Sequence, residues 1–379
     1  NMAPHNLGEV VDATLALIDK PEITVEELLP IIPGPDFPTG GIILGRSGIR
    51  SAFMTGRGSI TMRARVQVEE IRKDRQALVL TEIPYQVNKS TMIEKIADHV
   101  REKRIEGISD IRDESSREGM RVVIELKRDA EPDIVLNQLW RYSDMQTTFS
   151  VNNVALSGGR PEMLNLLDLL RSFVSFREEV ITRRTKFLLK KARDRAHVLV
   201  GLAIAVANID EVIRLIRSSR DAAAAREALM ARDWPARQLE PLIALIADPR
   251  HRLKGDGTYR LSDEQARAII DLRLQRLTQL GLEEITEELE KLAAEIKDYL
   301  DILSSRVRVR QIIRDELTAV KTEFATPRRT DIVENEGEVD DEDLIQSEDM
   351  VVTVSHAGYV KRVPLSAYRA QRRGGKGRA

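Results

Sequence analysis

Cysteine is absent from the 379 residues, which excludes disulfides, iron–sulfur clusters and thiolate zinc sites. The five histidines, His5, His99, His197, His251 and His356, are scattered without ligand spacing, so no metal site is expected. No apolar run reaches membrane-spanning length, and no secretory pattern opens the chain. A cytoplasmic location without a membrane partner is the default. There is no G-x-x-x-x-G-K-[ST] loop, and with it no ATPase of the chain's own. Aromatics make up only 4% of the chain while charged residues reach 32%, with a net charge of −2. That balance argues neither for nor against nucleic acid; the distribution says more, with several basic blocks and one acidic run.

What is present points to a mixed α+β, multidomain chain, too long for one core. Two helical arms far apart in sequence, 161–200 and 282–325, organise the rest. In the second, Leu282, Ile285, Leu289, Leu292, Ile296, Tyr299 and Leu303 recur at spacings of three and four, a heptad seam. The first carries Met163, Leu166, Leu170, Phe173, Val180 and Phe187 on a comparable stripe. Its far end is basic and the near end of the second is acidic, so the pattern predicts a long antiparallel coiled coil. Thirty-odd residues at 1.5 Å each make arms on the order of 50 Å. The pair reads either as a hairpin inside a helical domain or, with the better fit, as a rod with a globular body at each end.

Residues 1–40 begin with a capping box, Asn6 and Glu9, and continue with a second, Thr24 and Glu27. IPGPDFPTGG (Ile32–Gly41) must be a stiff, extended loop. From 41 to 160 the pattern turns to strands, including Ser59–Ile71 and Thr147–Leu156, with helices capped by Thr91 and opened by Pro132. Ile60, Met62, Ala64, Val66 and Val68 fall on one face of a strand, Arg63 and Arg65 on the other. With Arg46, Arg50 and Arg57 nearby, that face is either a phosphate-following surface or a solvated one. Residues 201–281 read as a compact helical body that either pairs with a second copy or buries its own apolar surface. Residues 326–342 read as an acidic linker, part of a run of nine acidic residues in Glu334–Asp349. Val351–Val354 and Tyr359–Val363 form a hairpin, and the chain closes on QRRGGKG (Gln371–Gly377), a basic Gly-rich stretch. Such a stretch is either a nucleic-acid contact or a disordered end. The chain opens at Asn1 without an initiator methionine, and both ends read as cut from a longer polypeptide.

Seven motifs in order, NMAPHNL, IPGPDFPTGG, EIPYQVNK, EGISDIRDES, TRRTKFLLKKARDRAH, AIIDLRLQRLT and QRRGGKG, span the chain and resemble the A subunits of bacterial DNA gyrases. The last is similar to the gyrase A box, which separates this family from the topoisomerase IV subunit. The resemblance implies the end of a DNA-gate core at 1–40, an α+β tower at 41–160 and coiled-coil arms around a helical exit-gate dimerisation head at 201–281. It implies the first blade of a DNA-wrapping β-pinwheel at 343–379. Implied partners are double-stranded DNA, a second copy of the chain and an ATPase-bearing B subunit in an A2B2 complex, with Mg2+ and ATP entering through the B subunit and no cofactor held by this chain. The implied activity is ATP-dependent negative supercoiling by transient double-strand cleavage, in the cytoplasm at the nucleoid. None of the six tyrosines stands in the family's Tyr–Arg motif, expected upstream of Asn1, so no catalytic residue is assigned and the chain alone is expected not to cleave. Met2 stands where the family has an aliphatic wedge between base pairs. Lys89, Arg63 and Arg65 are implied phosphate contacts; Gln371, Arg372, Arg373, Gly374, Gly375, Lys376 and Gly377 form the wrapping set. Leu272, Leu274 and Leu277 are the dimer-contact candidates. The readings set against this one are a topoisomerase IV A-type subunit and a non-enzymatic coiled-coil DNA-binding scaffold.

Overall fold

The computed structural model describes residues 1–72, 75–246, 253–271, 282–334 and 349–365. Two compact units divide the chain: residues 1–170 with 324–379, and residues 171–323.

The first unit opens with α1 (Leu7–Asp19), whose N-cap Asn6 accepts from the Glu9 N–H, and α2 (Val25–Leu28), which closes a reciprocal capping box between Thr24 and Glu27. Two four-stranded sheets follow. The first orders its strands β12-β1-β2-β7 and the second β3-β4-β6-β5. These are β1 (Ile42–Leu44), β2 (Arg57–Arg63), β3 (Arg65–Arg72), β4 (Arg75–Glu82), β5 (Ile108–Asp113), β6 (Val122–Leu126), β7 (Gln146–Asn152) and β12 (Asp331–Val333), while β8 (Val154–Ser157) and β9 (Arg160–Met163) pair with each other. Helix α3 (Ser47–Thr55) packs on β2; α4 (Lys89–Arg101) and α5 (Pro132–Tyr142) supply Met92, Ile96, Val135 and Leu139 to the core of the second sheet.

The strand expected over Ser59–Ile71 is two strands in different sheets. Ala64, almost fully buried, donates its N–H to the Met145 carbonyl and sends the chain from one sheet to the other. The alternation therefore resets, and Val68 is left 49% exposed instead of sharing the face of Ile60 and Met62. The strand expected over Thr147–Leu156 breaks in the same way at Asn153, whose N–H goes to Gly56 and whose carbonyl accepts from Leu164. Asn88, not Thr91, caps α4: its side chain accepts from the Thr91 N–H.

The linker expected to begin at residue 326 is docked over 326–333. β12 pairs in parallel with β1, Ile332 opposite Ile43. Arg328 forks onto Glu9 at 2.6 Å and donates to the carbonyls of Gly34 and Pro35. Asp36 accepts from the N–H groups of Arg329 and Thr330 and from Asn6. The IPGPDFPTGG loop is thus the receptor for the returning chain. Farther on, β13 (Met350–Val354) and β14 (Val360–Pro364) form the expected hairpin around Gly358 at φ 85°.

In the second unit, α6 (Leu166–Ala207), which enters from the first, runs past the expected end at 200. Its buried stripe is Leu170, Val174, Ile181, Leu189, Ala192 and Ala196, whereas Phe173 and Phe187, expected on it, are 41% and 67% exposed. The second arm is two helices, α11 (Leu282–Ser304) and α12 (Arg306–Phe324), interrupted at Ser305. Ion pairs fix the direction: Arg177 with Glu316, Glu178 with Arg306 and Arg310, Arg195 with Glu288. As numbers rise along α6 they fall along its partner, an antiparallel arrangement. Between the arms lie α7 (Ile209–Ser218), α8 (Ala222–Ala231), a hairpin of β10 (Asp233–Pro235) and β11 (Thr258–Arg260), α9 (Glu240–Ile246) and α10 (Asp263–Asp271). They pack around fully buried Trp234, whose Nε1 donates to the Leu229 carbonyl. Ser262 and Gln265 cap the start of α10 in both directions, the Ser262 hydroxyl accepting from the Gln265 N–H and the Gln265 side chain accepting from the Ser262 N–H. No described helix is long and apolar enough to cross a membrane.

Candidate nucleic-acid interface

A basic face in the first unit is built where α3 lies on β2. The approach is close because both contact residues are glycines: a Cβ on Gly48 would fall 1.8 Å from the Ser59 carbonyl oxygen, and one on Gly58 2.3 Å from that of Gly48. α3 ends at Gly56, in the left-handed region at φ 78°, where a side chain would also strike the Leu164 carbonyl. The Ser51 hydroxyl donates to the Arg57 carbonyl, and the Thr55 hydroxyl, whose single proton is shared between the Ser51 and Arg57 carbonyls, accepts from the Arg57 N–H. Arg57 therefore enters β2 with both its carbonyl and its N–H held by α3 hydroxyls.

Across the sheet Arg57 stands opposite Asn152, which donates to the Asn1 carbonyl; Asn1 in turn donates its side-chain amide to Ser150. Met2, 50% exposed, lies next along the chain. Arg46, Arg50 and Met54 follow at one-turn spacing on the exposed side of α3, with Ser47, Ser51 and Thr55 beside them. Among the described residues Arg46 pairs only with exposed Glu334, at 4.0 Å. Arg50 and Arg57 are exposed and make no ion pair among the described residues. Free guanidinium groups on a rigid backbone are what a phosphodiester backbone engages.

The other predicted cations are occupied. Arg63 stacks on Trp140 at 3.9 Å and its Nε donates to Gln146; burial lowers its pKa. Arg65 bridges Asp331 at 2.6 Å and Glu82 at 3.0 Å, and those hydrogen bonds raise its pKa. Glu82 also accepts from the Gly41 N–H, so Arg65 joins the second sheet to the loop and to β12. Lys89 reaches Asp113 at 2.6 Å; that bond, with the Ser115 hydroxyl and N–H, holds the Asp113 carboxyl down to about 2. The arginines predicted on an open strand face thus tie elements together, and a phosphate would have to displace a carboxylate to reach Arg65 or Lys89. The hydroxyl clamp on Arg57 was not anticipated; its signal is Thr55-Gly56-Arg57-Gly58, a helix stop followed at once by a cation. Leu272, Leu274, Leu277 and all of Gln371, Arg372, Arg373, Gly374, Gly375, Lys376 and Gly377 lie outside the described residues. Among the described residues no group of three or more His, Asp or Glu side chains is placed to hold a metal ion.

Comparison with known proteins matches residues 1–318 to the family model of the DNA gyrase/topoisomerase IV A subunits and residues 349–379 to "DNA gyrase C-terminal domain, beta-propeller". The chain is 57% identical over 375 residues, 99% of its length, to the DNA gyrase A subunit of Granulibacter bethesdensis, and covers 40% of that protein. It is 55% identical over 379 residues to the corresponding protein of Rickettsia conorii and 50% identical over 390 aligned positions to that of Pseudomonas aeruginosa, covering 42% of each. The chain thus spans about two fifths of the length of these relatives. With the family model matched over most of its residues, the chain belongs to the family of DNA gyrase and topoisomerase IV A subunits.

Proposed function

We propose that this chain is the DNA-holding and gate-forming part of a gyrase-type A subunit. With an ATPase-bearing B subunit, which brings ATP and Mg2+, it would introduce negative supercoils by transient double-strand cleavage and strand passage, in the cytoplasm at the nucleoid. The observation that carries the reading is the exposed Arg46–Arg50–Arg57 face, held rigid by the glycine crossing and the hydroxyl clamp, in a chain whose family acts on DNA. Arg50 and Arg57 take the phosphates, while Arg63, Arg65 and Lys89 hold the body that presents them. Met2, exposed at the end of the same face, is the wedge candidate. Residues 41–160 serve as the tower and the arms as the antiparallel coiled coil of an exit gate. Residues 201–281 are its dimerisation head, through Leu272, Leu274 or Leu277. No tyrosine here is proposed as the nucleophile, so the chain by itself is expected to hold DNA without cutting it.

A gyrase rather than a topoisomerase IV role rests on the match at 349–379 and on Gln371–Gly377. Replacing Arg372, Arg373 and Lys376 by Ala in the full-length protein, assayed with its B partner, tests it. Loss of supercoiling with relaxation and decatenation retained is the expected result. Supercoiling that survives the triple change removes the wrapping role of Gln371–Gly377, whereas a parent protein that decatenates without supercoiling favours the topoisomerase IV reading.

A further inference from the structure

The second unit carries a basic surface of its own. Val174, Ile181, Thr185, Leu189 and Ala192 of α6 are buried. At 3.6 residues per turn, Phe176, Arg183, Phe187 and Lys190 lie on the opposite side, flanked by Lys186 and Lys191. The two rings are 60% and 67% exposed. Arg184 and Arg195 are turned to Glu316 and Glu288 across the arms, and Arg183 is paired with Glu179. Lys186, Lys190 and Lys191 make no ion pair among the described residues. Arm pairing therefore accounts for several cations of this stretch but not for these lysines, nor for Phe187 held in water among them and Phe176 farther along the same face.

Charge chooses the occupant. Lys186 to Lys191 covers about 7.5 Å of helix axis, and a duplex presents about one negative charge per 1.7 Å of its own axis, dense enough to meet all three ammonium groups at once. A second copy on this face would set three unpaired lysines against three more across a two-fold axis, which repels. We infer that the outer face of α6 from Phe176 to Lys191 binds the phosphate backbone of a DNA duplex, as a second surface separate from the α3–β2 face. The inference rests on the reading that this chain holds duplex DNA. The lysines supply the charge, and the flanking rings keep water from the contacts.

With no native thiol in the chain, a Phe176→Cys variant of the full chain can carry one environment-sensitive fluorophore. On titration with a 30-base-pair duplex, its emission changes and saturates. Combining Lys186→Gln, Lys190→Gln and Lys191→Gln removes that change, whereas Lys→Arg at the same positions keeps it. Losing three phosphate contacts lowers the log–log salt slope of duplex affinity by about 2.7, so raising salt from 50 to 200 mM costs the parent about 40-fold more than the Gln variant. The Arg50→Ala, Arg57→Ala variant retains the emission change at saturating DNA. Duplex binding seen by anisotropy without any emission change, or an unchanged slope in the Gln variant, overturns the second surface and leaves the first standing. An equal response to polyglutamate at the same ionic strength overturns duplex as its ligand. If labelled duplex is not bound at all, the reading on which the inference rests falls with it.

Discussion

At the residue scale, the fold alters the chemistry of His5. Its Nδ1 lies 2.9 Å from the Ala3 carbonyl, which can only accept, so the ring proton sits there and Nε2 is buried with no hydrogen-bond partner among the described residues. Burial is the main cause that pulls its pKa from 6.5 down to about 4; the Ala3 carbonyl opposes it, Arg328 assists and Asp36 opposes. The folded state therefore binds its proton later than the unfolded chain does. The resulting stability is complete above about pH 6.5 and is lost as pH falls toward about 4. At pH 5 the loss is about 2 kcal/mol, from 1.36 kcal/mol per pH unit. Urea unfolding at pH 7 and pH 5 should show this loss in the parent and a smaller one in His5→Gln. Equal losses in both would mean that the acid sensitivity lies elsewhere. Asp36, next to the same clamp, acts in a lower window. Burial works to raise its pKa, but Asn6, the Thr330 and Arg329 N–H groups and Arg328 outweigh that and hold it below the ordinary value. Its contribution is present above about pH 4 and fades only beneath that.

At the scale of elements, the break in the second arm is spanned by Arg308, which pairs with Asp298 and Asp301, and braced from the first arm by Glu178. Glu178 of α6, mostly buried, meets both Arg306 and Arg310 at the start of α12, 3.0 Å from each. Burial raises its pKa, yet the two guanidinium groups win and hold it low. Glu178→Gln removes the charge and leaves Arg310, itself largely covered, without its partner, at a cost of about 1–2 kcal/mol. The urea midpoint of the chain should fall accordingly at pH 7, and the loss of stability on going below about pH 4 should shrink. An unaltered midpoint would show that packing of the seam alone sets the arm geometry.

The same elements show what could be read from the sequence. Ile285, Leu289 and Ile296 are buried as their spacing requires, and the capping boxes at Thr24 and Ser262 form as their residues dictate. These are local patterns with one solution. Phe173 and Phe187 misled because hydrophobicity suggested a stripe that the arm partner does not cover. The strand break at Ala64 and the docking of Asp331–Val333 on Ile42–Leu44 depend on partners about 80 and 290 residues away, which no periodicity encodes. For the same reason Arg63 and Arg65 read as open cations: Trp140, Glu82 and Asp331 reach them only through the fold.

For the whole molecule, the two units divide the cations into those that hold the fold and those left for a ligand. In the first unit the division falls between neighbours in sequence, with Arg50 and Arg57 exposed and Arg63 and Arg65 engaged. This division is the central claim, and the salt dependence of duplex affinity measures it directly. Removing Arg50 and Arg57 together should flatten the slope of log affinity against log salt by about 1.8, while removing Arg65 and Lys89 should leave the slope unchanged and lower only thermal stability. The reverse pattern, a flattened slope without Arg65 and Lys89 and an unchanged one without Arg50 and Arg57, would contradict it.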